Sequence, residues 1–168
     1  MAIITLTTDL GLVDNYVASV KGAILKESPN TTIVDITHEI PSFDLSKSAF
    51  VIRNCYQDFP EGTIHIIGVN SESDFETPHV AIYANKHYFI GADNGVFSLI
   101  FDTPPDKVVE LTISQDTDRI TFPTKDVFVK AACHIARGGT LEIIGTEKQE
   151  LSVRTAFRAV SENNIIRG

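Results

Sequence analysis

The sequence predicts an α/β domain: a mostly parallel central sheet flanked by helices. Three observations carry this expectation. Short β-rich runs alternate with segments of helical apolar spacing. The joints between them hold Pro, Gly, Asp and Asn, the residues that stop or cap elements. A chain of 168 residues that is 43% hydrophobic and 21% charged has the size and apolar content of one cored domain.

Ile3 to Thr7 reads as a first strand that ends at Thr8-Asp9, and Gly11 breaks its pattern. Asp14 is expected to cap a helix whose apolar positions Val17, Val20, Ile24 and Leu25 fall at helical spacing, with Pro29 and Asn30 ending it. Thr32 to Ile36 is a second strand, and a second helix capped by Asp44 runs to about Tyr56. The turn Pro60-Glu61-Gly62 leads into a third strand from Thr63 to Val69. Beyond a polar loop from Asn70 to Pro78, two strands surround Asn85-Lys86, and Asp93-Asn94-Gly95 reads as a turn before a short apolar stretch from Val96 to Phe101. Val108 to Leu111 reads as another strand, and Asp126 as the cap of a late helix through Val127, Ala131 and Ile135 that Gly138-Gly139 stops. The domain is expected over 1–150, with 151–168 as a linker or the truncated start of another unit.

The charge balance sets the class of partner. Fourteen basic residues against 22 acidic give a net charge of −8, unfavourable for a nucleic-acid backbone or an anionic membrane. Cys55 and Cys133 form no C-x-x-C pair and read as free thiols in a reducing compartment, so a cytoplasmic protein is expected. The N-terminus lacks the basic n-region of a signal peptide, and no apolar run is long enough to span a bilayer.

In open α/β sheets ligands gather beyond the carboxyl ends of the strands. By that rule the candidate segments are Thr8 to Asp14, Thr37 to Asp44, Asn70 to Pro78 and Thr121 to Asp126. Asp9 and Asp14 flank Gly11, and such a pair of carboxylates suits a sugar diol or a hard cation; the plain alternative is a turn former and a helix cap. G-x-G-x-x-G, the P-loop, the zincin helix and G-x-S-x-G are all absent. His65, in an apolar strand, and His134, in a helix, read as structural. Residue patterns alone therefore stop at an α/β small-molecule binder.

An ordered set of motifs goes further. T-T-D-L-G-L-V-D-N-Y-V (7–17), K-G-A-I-L (21–25), I-V-D-I-T-H-E-I-P-S-F-D (33–44), F-P-E-G-T-I-H (59–65), A-D-N-G (92–95) and T-F-x-x-[KR]-D (121–126) follow one another along the chain. Together they resemble the S-adenosylmethionine (SAM) hydroxide adenosyltransferase family, whose relatives include SAM-dependent chlorinases and fluorinases. The resemblance implies an N-terminal α/β domain followed by a C-terminal β-barrel, which is expected to be absent from this chain. It also implies a homotrimer with SAM bound between subunits, SAM as substrate with no cofactor or metal, and displacement of methionine from C5′ by water or hydroxide. It assigns the ribose to Asp9, the methionine end to the Asp14 loop, a ribose-packing aromatic to Phe43 and the walls of the reacting carbon to Thr121 and Phe122.

The residues that hold the attacking water in hydrolytic members are replaced. Asn70 stands where V-D-P-G-V-G-x-x-R-R has its Asp, the loop has no Arg, and Pro123 stands where T-F-H-G-R-D has its His. Halogenases carry Tyr at the position of Asn70, while Thr124 occupies the place of a fluorinase Ser. Asn70 and Thr124 are thus the groups left to meet a nucleophile. Three functions follow: a divergent SAM hydrolase, a non-catalytic adenosine- or SAM-binding paralogue, or another nucleoside reaction with Asp74 or Glu76 as base.

Overall fold

The computed structural model describes residues 1–72, 74, 76–113, 122–155, 160–162 and 165–167. Its elements run β1 (Ile3–Thr8), α1 (Tyr16–Glu27), β2 (Thr32–Thr37), α2 (Leu45–Arg53), β3 (Ile64–Gly68), β4 (His79–Ala84), β5 (His87–Ala92), α3 (Val96–Ile100), β6 (Lys107–Leu111), α4 (Val129–Ala136), α5 (Leu141–Ile144) and β7 (Gly145–Glu147), then a small hairpin of β8 (Val160–Glu162) and β9 (Ile165–Arg167). The expected α/β class holds. Seven strands lie in the order β2-β1-β3-β5-β4-β6-β7. The first four pair in parallel, and the three joints beyond β5 are antiparallel, so β4 and β7 alone run against the other five.

Period-two alternation sends the strands' side chains to two cores. Ile4, Leu6, Ile64, Ile66 and Ile90 pack with Val20 and Ile24 of α1 and Phe128, Ala131 and Ala132 around α4. Ile67, Val80, Ile82 and Phe89 pack on the opposite face with Leu45, Ala49 and Ile52 of α2 and Phe97 and Ile100 of α3. Each fully buried Ile or Phe contributes about 1.5–3 kcal/mol of transfer free energy, so burial on both faces stabilises the sheet. The chain places β2 on one side of β1 and β3 on the other. The strand order therefore reverses at β1, which opens a crevice at the carboxyl ends of β1 and β3.

Several local expectations are corrected. Asn15, not Asp14, precedes α1, and no side-chain cap forms there; Asp14 is exposed in the preceding loop. Asp126 does not cap the late helix. The chain turns helical at Pro123 (φ −56°), whose ring pre-sets a first-turn dihedral, and a π-helical turn over Thr124–Phe128 leads into α4. The stretch from Val96 forms α3, too short for its period to show. Asp44 does cap α2, accepting from Lys47 N at 2.9 Å. Both cysteines are free. Among the described residues no helix is long and apolar enough to cross a membrane.

The histidine of β3 is structural, as expected. His65 Nδ1 lies 2.8 Å from Thr5 Oγ1 and Nε2 lies 3.2 Å from His87 Nδ1, with the ring stacked on Phe89 at 4.9 Å. Burial, reinforced by His87, lowers its pKa from 6.5 to about 3. Between those two values the unfolded chain binds a proton that the folded chain refuses, so this site makes stability fall as pH falls. The slope is at most about 1.4 kcal/mol per pH unit. Urea denaturation at pH 7, 6, 5 and 4 is expected to show this loss, and His65→Phe to flatten it. An unchanged slope in the variant would contradict the assignment.

Candidate functional site

Asp9 leaves the end of β1 directly into the crevice. Its Oδ2 accepts two backbone N–H groups, from Phe43 at 3.1 Å and from Asn70 at 3.3 Å. Phe43 follows β2 and Asn70 follows β3, so one carboxylate oxygen ties together the loops beyond three neighbouring parallel strands. Both donors sit in the left-handed region, at φ 65° for Phe43 and 46° for Asn70. For a phenylalanine that conformation costs on the order of 1 kcal/mol or more, and it holds only where surrounding bonds fix it. Among the described residues both of these bonds fall on Oδ2, which leaves Oδ1 to accept from a ligand. Gly11 makes the turn beside it at φ 70°, and its N–H donates to His38 O at 2.7 Å.

The loop after β3 is pinned carbonyl by carbonyl. Asn94 Nδ2 donates to Val69 O at 3.2 Å and to Asn70 O at 2.9 Å, while its Oδ1 accepts from Val96 N at 3.2 Å. His79 Nε2 lies 2.9 Å from Ser71 O. A carbonyl only accepts, so Nε2 carries the proton there. Burial lowers the His79 pKa more than the Ser71 carbonyl raises it, so the ring is neutral at pH 7. Thr124 Oγ1, fully buried, donates to Ser71 Oγ at 3.3 Å. Gly68 leaves the room for that threonine, since a Cβ there would stand 2.6 Å from Thr124 Oγ1. Asp93, also buried, accepts from Ser152 N at 2.8 Å and lies 3.7 Å from Lys148 Nζ, tying the segment after β7 to the same turn.

The structure thus brings Asp9, Phe43 and Asn70 into direct contact and links Thr124 to them through Ser71. Asp14 is exposed and makes none of these contacts; Phe43, 67% exposed as a residue, stands at the mouth of the site. Phe122 is half-buried against Tyr16, edge to face at 5.3 Å, with Lys125 Nζ 5.8 Å from its ring centre. Thr121 lies outside the described residues. Asp74, a candidate base, is turned back on its own loop: Oδ1 accepts from the Thr77 hydroxyl at 2.7 Å and from the N–H groups of Thr77 and Glu76. Those bonds, the hydroxyl's first, hold its pKa below the usual carboxylate range, which weakens it as a base. Ser71 lies in the candidate segment Asn70 to Pro78 and Asn94 in the A-D-N-G motif, but neither was singled out, and His79 escaped the sequence reading as a site residue. Asn94 had a local signal, as the centre of a D-N-G turn, while the other two matter through bonds between strand ends that no spacing reveals. No group of three or more His, Cys, Asp or Glu among the described residues gathers as a metal site.

Comparisons with known proteins bear on this crevice. Residues 4–145 match the family model for the SAM hydroxide adenosyltransferase N-terminal domain. The chain is 31% identical over 152 residues to an (R)-S-adenosyl-L-methionine hydrolase of Thermus thermophilus, covering 83% of this chain and 59% of the relative. It is 30% identical over 139 residues to the hydrolase of the same name from Methanocaldococcus jannaschii, covering 79% of this chain and 52% of the relative. The crystal structure of an uncharacterized conserved protein from Thermotoga maritima superposes with a TM-score of 0.86 at 28% identity, over 96% of this chain and 63% of that one. The chain therefore spans somewhat over half the length of the curated relatives it matches.

The clamp on the loop after β3 has a measurable cost of removal. Asn94→Ala would leave two carbonyls and one N–H without their side-chain partner in a buried position, a loss of about 2–3 kcal/mol. Chemical denaturation is expected to read that value. A change below about 0.5 kcal/mol, the usual size for a surface substitution, would show that the clamp does not hold the loop.

Proposed function

The chain belongs to the SAM hydroxide adenosyltransferase family, and on that premise we propose that it is a divergent SAM hydrolase, forming adenosine and L-methionine from SAM. The observation that carries the reading is the Asp9 carboxylate, held at the β1/β3 crevice by two backbone amides with Oδ1 left to accept from a ribose diol. An ionised carboxylate accepts from hydroxyls more strongly than a neutral group does.

The reaction needs little acid–base chemistry. Water oxygen bonds to C5′, the C5′–S bond breaks with its electron pair going to sulfur, and the attacking water's proton leaves to solvent. The sulfonium is a good leaving group, so the protein's task is to fix the ribose and align the water behind C5′. In this reading Asp9 holds the ribose hydroxyls, Phe43 packs on the sugar, the Asp14 loop takes the methionine end, and Thr121 and Phe122 wall the reacting carbon. Asn70 and Thr124 stand at the nucleophile's side. Thr124 is fully buried and donates to Ser71, so it acts through the Ser71 hydroxyl. An amide orients a water but takes no proton from it at neutral pH, and losing a positioned base costs about 10²–10⁴ in rate. Turnover slower than in members with the full Asp/Arg/His set follows. The homotrimer and the barrel-borne half of the SAM pocket belong to the same proposal.

The replacements Asn70 and Pro123 favour one competing reading, a paralogue that binds adenosine or SAM without turning it over. Calorimetric titration of the full-length protein with adenosine and with SAM, followed by chromatography of the SAM incubation, separates the two. Slow release of adenosine and methionine is expected; binding without products would establish the paralogue. Asp9→Asn is expected to weaken adenosine binding by about 1.5–3 kcal/mol, the range for a hydrogen bond to a charged group. Unchanged affinity would remove Asp9 from the site.

A further inference from the structure

We propose that His38, buried beneath the crevice, is a positioning residue that sets the Asp9 carboxylate through Thr8, with Asp35 and Lys21 orienting its ring. The inference rests on the reading of Asp9 as the ribose anchor and concerns what holds that anchor in place.

A continuous polar chain runs from the surface of α1 to the residue before Asp9. Lys21 Nζ donates to Asp35 Oδ2 at 2.5 Å. Asp35 Oδ1 lies 3.1 Å from His38 Nε2 but out of line for a hydrogen bond, so Nε2 has no hydrogen-bond partner among the described residues. His38 Nδ1 lies 2.8 Å from Thr8 Oγ1, and Thr8 Oγ1 lies 3.4 Å from Leu10 N. His38 is 3% exposed and Thr8 fully buried. Burial raises the Asp35 pKa, but Lys21 and His38 together outweigh it and hold the group below the usual carboxylate range.

The chemistry of each partner sets a direction along the chain. An ionised carboxylate only accepts, so the imidazole proton belongs on Nε2, facing Asp35. Nδ1 is then an acceptor, and the Thr8 hydroxyl must donate to it. The lone pairs of Thr8 Oγ1 are thereby turned to the Leu10 N–H. Two backbone bonds lock the same contact, Gly11 N to His38 O at 2.7 Å and Ile40 N to Thr8 O at 3.3 Å. The clasp therefore brackets Asp9 between Thr8 and Leu10, and from Ile40 it governs the approach of Phe43, whose N–H meets Asp9 only at an unfavourable positive φ. A site built on strained donors tolerates little drift, so loss of the clasp should be felt first at the carboxylate.

The test reads the anchor with and without ligand. Thr8→Val removes the hydroxyl at nearly constant size, His38→Phe removes both ring nitrogens, and His38→Gln keeps one acceptor for Thr8 and one donor for Asp35. Hydrogen exchange at the Phe43 and Asn70 amides is expected to quicken about tenfold in Thr8→Val and His38→Phe, with adenosine affinity falling by a similar factor, as for one lost hydrogen bond. The double variant should be no worse than either single one, and His38→Gln should recover most of the loss. A role in stability alone would lower the melting temperature and leave both readouts unmoved, which overturns the proposal. Should His38→Phe fail to fold, Thr8→Val decides by itself. Faster amide exchange in Thr8→Val, combined with an Asp9→Asn variant that binds adenosine normally, would uphold the clasp and overturn the ribose reading instead.

Discussion

Two backbone amides that meet on one oxygen of Asp9 are the constraint from which the rest of the crevice follows. A parallel sheet delivers the carboxyl ends of β1, β2 and β3 side by side, but it does not by itself join the loops that leave them. Asp9 does so, because its Oδ2 takes the N–H of Phe43 from one neighbour and of Asn70 from the other. Those amides reach it only with their residues in the left-handed region, a conformation that bonded partners must hold in place. The holding is visible: Asn94 grips the carbonyls of Val69 and Asn70, His79 meets that of Ser71, and Thr8 and Gly11 bond back to the chain at His38 and Ile40.

The parts of this arrangement that depend on local pattern were legible in the sequence, and the parts that depend on long-range bonds were not. Alternating strands and helices gave the α/β class, and Asp44 announced its cap, because such signals reside within a few residues. Asp14 misled as a cap since an acidic residue before a helix and an acidic residue in a loop look alike; Asn15 takes the position instead. Asp126 misled because Pro123 starts the helix earlier. Asp9 was legible from its place beside Gly11 past the first strand, Phe43 and Asn70 were singled out through motif resemblance, and the structure places the three in contact. Ser71 and His79 had no such signal: they meet because the loop after β3 folds over the start of β4.

On the proposed function, the replaced residues would alter the chemistry more than the frame. Asn70 keeps its backbone role toward Asp9, since that role uses N–H and not the side chain. In the proposed reading the group offered to a nucleophile changes: an amide at Asn70 in place of a carboxylate, no Arg in the loop, and Pro123 in place of a His. Adenosyl transfer from a sulfonium tolerates such a change, because alignment rather than proton removal dominates its barrier.

If Asp9 Oδ1, which accepts no hydrogen bond among the described residues, receives the ribose hydroxyls, the ligand's own hydroxyls must govern affinity. Calorimetric titration of the unaltered protein with adenosine and with 2′,3′-dideoxyadenosine removes the hydroxyls without touching the fold. The dideoxy compound is expected to bind at least about tenfold more weakly, as loss of a charge-assisted hydrogen bond requires. Equal affinity for the two nucleosides would contradict the assignment of the ribose to Asp9.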